Sequence, residues 1–161
     1  MNDIRKIDLI IVKEIAGLQT LYKADNGKVV TYATTSIAII RNPYKSGKLD
    51  FAVKPYYDDE YGDSVALYSY QEDIQYQECR RIINECKSNG KRIPDDVDAF
   101  AREIGKIKLQ ACDAANAYIA NALGEPDGDF KTGFSKQKWR DLVTSSDIAK
   151  ELMAEAKASL K

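Results

Sequence analysis

The chain has 161 residues, 44% of them hydrophobic, with 24 Lys and Arg against 25 Asp and Glu and a formal net charge of −1; this is the balance of one folded domain rather than of a disordered segment. Charge is even along the chain, nine basic and nine acidic residues over 1–69 and fifteen and sixteen over 70–161, which excludes the basic field of a general nucleic-acid binder and the acidic field of a whole-protein mimic of nucleic acid. Histidine is absent, which excludes Ser-His-Asp and Cys-His triads and His-ligated metal sites.

The first apolar run, around Leu9 to Val12, is too short to span a bilayer. The N-terminal residues lack the pattern of a secretory signal. Three cysteines, Cys79, Cys86 and Cys112, make an odd count that suits a reducing compartment. The expected location is therefore cytoplasmic, without a membrane segment.

Residues 4–15 read as a first strand, apolar at Ile7, Leu9 and Ile11, and Gly17 is expected to break it. Residues 18–23 make a second strand. Asp25-Asn26-Gly27-Lys28 is a hairpin signal, because Asn-Gly supplies the positive φ of a tight turn. Residues 29–41 form a long third strand rich in β-branched residues. Residues 48–54 form a fourth strand, with Pro55 as its end or an edge marker. Residues 56–63 read as a loop and 64–68 as a fifth strand.

The helical part begins at Ser69, which with Glu72 forms a capping box. A first helix runs over 70–89, its inward face Tyr76, Cys79, Ile83 and Cys86, and Gly90 stops it. A second helix covers 94–123, with Pro94 at its start and Asp95, Asp96 and Asp98 at the positive dipole end. Val97, Phe100, Ile104, Ile107, Ala111, Ala115 and Tyr118 repeat at helical spacing along it. Its alanine-rich second half suits a packing spine or a homodimer interface. Two short helices follow, at 135–143 and from 146 onward.

The expected fold class is α+β: an N-terminal antiparallel sheet of about five strands against a long C-terminal helix pair, plus two short helices. Residues 1–125 form the core (sheet 4–68, helices 70–89 and 94–123), and 126–161 a linker and helical appendage.

Seven of the ten tyrosines lie between Tyr44 and Tyr76. Tyr56, Tyr57 and Tyr61, among Asp58, Asp59, Glu60 and Asp63, form an acidic aromatic segment. Tyrosines offer large contact area at small entropic cost and carboxylates steer basic partners, so this is the expected partner-binding surface. A second segment, Lys131, Lys136, Lys138, Trp139 and Arg140, places cations around an aromatic ring and suits phosphate or single-stranded nucleic acid, with Arg80 and Arg81 as further phosphate candidates. Its plainer reading is a solvated helix face. No catalytic residues, metal ligands or cofactor are expected: glycine-rich phosphate loops are missing, and the acidic loop lacks calcium-loop spacing. The expected function is a non-enzymatic binding or inhibitory protein acting on a protein partner, with homo-oligomerisation through the 94–123 helix. Small size without a catalytic motif also fits an accessory protein of a phage or mobile element. The alternative is a nucleic-acid or nucleotide binder using the basic aromatic segment.

Overall fold

The computed structural model describes residues 7–23, 27–58, 64–124 and 138–160. The fold is α+β. Three long antiparallel strands, β1 (Ile10–Lys23), β2 (Val29–Asn42) and β3 (Lys48–Asp58), are followed by a short β4 (Ser64–Ala66), and the order across the sheet is β1-β2-β3-β4. The helices are α1 (Tyr70–Ser88), α2 (Asp95–Ala122), α3 (Lys138–Thr144) and α4 (Asp147–Ser159).

The sheet has three long strands rather than about five, and the reason lies at Gly17. The two strands expected at 4–15 and 18–23 are one continuous β1. The register against β2 shifts between Ile15 and Leu18, and Gly17 sits there at φ 78. Glycine takes that conformation without a Cβ clash, so it makes a bulge inside the strand instead of ending it. A second shift lies between Ile11 and Lys13. Gly27, at φ 84, stands just before β2, and Asp25 and Asn26 of the expected turn lie outside the described residues.

Pro55 does not end β3, which continues to Asp58 and pairs Tyr56, Tyr57 and Asp58 with Ala66, Val65 and Ser64. The Pro55 carbonyl accepts from Leu67 N–H at 2.8 Å, on the side away from β2. The proline nitrogen faces the same way, so its missing N–H removes no β2–β3 bond.

β2 is covered on both faces. Ala38 and Ile40 point with Ala52 toward Tyr70 and Ile74 of α1, joined by Ile7, Leu9 and Tyr44. Ile37 and Ile39 point the other way, toward Ala149, Leu152 and Ala156 of α4, with Val12, Ile15, Leu49, Phe51 and Val143 around them. Helices α3 and α4, read from the sequence as an appendage, are thus the second covering layer of the sheet. A third cluster joins α1 to α2 through Tyr76, Cys79, Ile83, Val97, Phe100, Ala101 and Ile104.

The capping box is present as expected: Ser69 Oγ accepts from Glu72 N–H and Glu72 Oε1 from Ser69 N–H, each at 3.1 Å. At 28 residues α2 is about 42 Å long, taking 1.5 Å per residue. Its first half packs on α1, and its last turn is held from the hairpin tip, where Lys28 Nζ donates to the Ala122 carbonyl at 2.8 Å. Past α1 the expected inward stripe fails at Tyr118, which is exposed, as is Leu109. Among the described residues no helix is long and apolar enough to cross a membrane.

Candidate functional site

Lysines and tyrosines converge where the sheet hands over to α1. On one side of the Ser69 cap, Lys54 of β3 lies over two rings, 4.9 Å from the centroid of Tyr70 and 5.7 Å from that of Tyr56. On the other side, Lys108 of α2 is 1% exposed and sits 4.7 Å from the ring centroids of both Tyr68 and Tyr76. Its ammonium also donates to Tyr68 Oη at 3.2 Å. A ring face is electron-rich, so each ammonium is attracted by its tyrosines, by about 0.5–2 kcal/mol per contact according to burial. These contacts tie β3, α1 and α2 together around the junction.

The Tyr70 hydroxyl is buried beside Glu14 and Ser36, without a well-aligned hydrogen bond to either. Burial, reinforced by the Glu14 carboxylate, raises its pKa far above the ordinary phenol value. Burial also raises that of Tyr76, against a smaller opposing effect of Arg80. The Cys79 thiol is pushed up to about 11 by burial, with Asp96 and Glu78 adding to the effect. All three groups stay protonated near neutral pH, so none is an activated nucleophile or base there.

Of the acidic aromatic residues, Tyr56, Tyr57 and Asp58 extend β3 as strand, where a loop was expected, because they have β4 to pair with. Tyr56 is half-buried on Lys54. Asp59, Glu60, Tyr61 and Asp63 lie outside the described residues. Among the described residues no three Cys, Asp or Glu side chains group as metal ligands.

Of the basic aromatic residues, Lys131 and Lys136 lie outside the described residues, and Lys138 and Trp139 belong to α3. Arg140 differs from expectation, because it is turned inward with its side chain 13% exposed. Its Nε donates to Asp73 Oδ2 at 3.1 Å and its Nη2 to the Phe51 carbonyl at 2.6 Å. It is engaged there and does not face solvent as a phosphate contact would. Arg80 is exposed, and Arg81 pairs with Glu78 and Glu85 along α1.

Asp73 is the residue that sequence reasoning passed over. It is 0% exposed, and its Oδ2 also accepts the Val53 N–H at 3.0 Å. Asp73 and Arg140 therefore occupy main-chain groups on the side of β3 away from β2, beyond the point where β4 departs. The sequence signal was faint: Asp73 stands beside Ile74 on the inward face of α1, where a charge is out of place. Lys108 carries a clearer one, replacing an apolar residue in the heptad run Val97, Ala101, Ile104, Lys108, Ala111.

The chain matches no protein-family model, no curated protein and no solved structure.

Proposed function

We propose that this protein is a non-enzymatic binding or inhibitory protein whose contact surface is the β3–β4 hairpin, from Tyr56, Tyr57 and Asp58 into Asp59, Glu60, Tyr61 and Asp63. The observation that carries the reading is the base of that hairpin. Tyr56 to Asp58 are paired with β4, and Tyr56 rests on Lys54, which also stacks on the buried Tyr70. A contact surface built on a rigid base loses little entropy when a partner binds. Carboxylates beside the tyrosines favour a basic protein partner.

The test is quantitative cross-linking and affinity capture from host cells with wild type and with Tyr57→Ala plus Tyr61→Ala. Loss of one specific partner, in variants that keep their circular dichroism, supports the reading. Equal capture by both overturns it. Retention on heparin or DNA that falls steeply with salt would favour nucleic-acid binding instead.

A further inference from the structure

The β3–β4 hairpin has two feet, and a lysine stands on each. The foot of its first arm is Tyr56, and Lys54 lies over both that ring and Tyr70 of α1. The foot of its second arm is Tyr68, two residues past β4, and Lys108 lies over both that ring and Tyr76 of α1. Each lysine therefore joins one arm of the hairpin to α1. The two differ in origin and depth. Lys54 belongs to β3 itself and is half-buried. Lys108 comes from α2, 40 residues along the chain from Tyr68, and is 1% exposed.

Filling space does not require a charge at Lys108. Methionine has a similar length and would fill the site at a lower desolvation cost. What the ammonium adds is direction. It is drawn to two ring faces at once, each at 4.7 Å, and it donates to Tyr68 Oη at 3.2 Å. Attraction between a cation and a ring grows as water is excluded, so the buried clamp at Lys108 is stronger than the half-buried one at Lys54. Tyr68 is 3% exposed, and the Leu67 N–H beside it donates to the Pro55 carbonyl at 2.8 Å. Fixing Tyr68 thus fixes the hydrogen bond at the base of the hairpin.

We propose that Lys108 is a positioning residue for the contact surface: through Tyr68 it makes the docking of α2 a condition for an ordered β4 arm, and so for binding of the basic protein partner. The inference rests on the reading of this hairpin as a contact surface. The two arms are not equally supported. The β3 arm continues a strand that is paired with β2 as far as Pro55. The β4 arm has three residues and is the terminal strand of the sheet. A short two-stranded pairing is marginal without tertiary support, and α2 supplies that support through Lys108.

Hydrogen exchange followed by NMR reads this anchor without any partner. Lys108→Met should speed exchange of the Leu67 amide at least tenfold. The Val53 amide, held by Asp73 at 3.0 Å, should change less than threefold. An unchanged Leu67 rate overturns the proposal, and so does equal acceleration at both amides, which is general loosening. If Lys108→Met does not fold, Tyr68→Leu takes its place, with the same local acceleration expected and the same two outcomes against it. In the capture from host cells, the folded variant should lose the specific partner that wild type takes. Retention of that partner, when Tyr57→Ala plus Tyr61→Ala loses it, overturns the positioning role and leaves the contact surface standing. Retention by the tyrosine variant overturns the contact surface, and the positioning role falls with it.

Discussion

Replacing Asp73 with alanine removes two interactions in a dry place. The Val53 N–H loses its acceptor, and an orphaned buried donor costs about 1–3 kcal/mol. Arg140 loses its carboxylate, and removing one partner of a buried ion pair costs about 3–5 kcal/mol. Arg140 is 13% exposed and can recover some hydration, so the low end of that range applies and the two losses overlap. A total of about 4 kcal/mol is expected for Asp73→Ala. For a chain of this length each kcal/mol moves Tm by roughly 2–4 °C, so Tm should fall by about 8–16 °C. Urea unfolding followed by far-UV circular dichroism gives the free energy, and hydrogen exchange at the Val53 amide locates the damage. The double-mutant cycle with Arg140→Ala separates pairing from general loosening: the double variant should lose less than the sum of the singles, by about 1–3 kcal/mol. The assignment of Asp73 as the clasp between α1, β3 and α3 fails if Asp73→Ala costs under about 1 kcal/mol, or if the cycle closes additively within about 0.5 kcal/mol.

Gly17→Ala should destabilise by about 1–2 kcal/mol, because a Cβ is strained at φ 78 although it meets no neighbour within 4 Å; an unchanged urea midpoint would show that the bulge tolerates other conformations. Cys79 should react with iodoacetamide far more slowly than the half-buried Cys86 at mildly alkaline pH, because its thiol is buried and held protonated, and peptide mapping that finds equal rates would contradict this. For Asp50, burial pushes the carboxyl pKa up, but the Lys45 ammonium and bonds from Asn42 and the Phe51 N–H outweigh it, and the net shift is downward. A carboxyl lowered in the folded state contributes stability that is full above its unfolded pKa and lost as pH falls through the folded one. The stability gap between wild type and Asp50→Asn should therefore shrink below about pH 4, and a gap that is constant down to pH 2 would refute the shift.

The parts of the fold that were legible in the sequence rest on local chemistry. Ser69 and Glu72 satisfy each other's backbone within one turn, so the start of α1 could be placed to the residue. Tyr76, Cys79 and Ile83 share a helical face whatever they pack on. Gly17 was misread, and Pro55 was left between strand end and edge with only the edge holding, because each residue has two meanings. A positive-φ glycine serves a break or a bulge, and a strand proline depends on which edge its nitrogen faces. Only the strand pairing decides. The clasp was invisible for another reason. Asp73 and Arg140 are 67 residues apart, and nothing near either one signals the other. Charged residues read as solvent-facing by default, so a buried pair assembled by tertiary structure escapes any reading of periodicity. The same blindness made α3 and α4 look peripheral, since the apolar partners of Leu152 lie more than 100 residues earlier, at Ile37 and Ile39.

That separation bears on how the protein is made. The face of the sheet formed by Ile37, Ile39 and Phe51 is complete only when residues 138–160 reach it. On the ribosome those residues emerge after the hairpin, α1 and α2. A nascent or prematurely terminated chain can form the hairpin, α1 and α2, yet it presents an apolar sheet face and, at Asp73, a carboxylate whose cation has not been synthesised. Such a chain is sticky and strained at the same spot, which is what chaperones and proteases recognise. Arrival of α3 and α4 thus does two things together: it covers the apolar sheet face and supplies the Asp73 carboxylate with its cation.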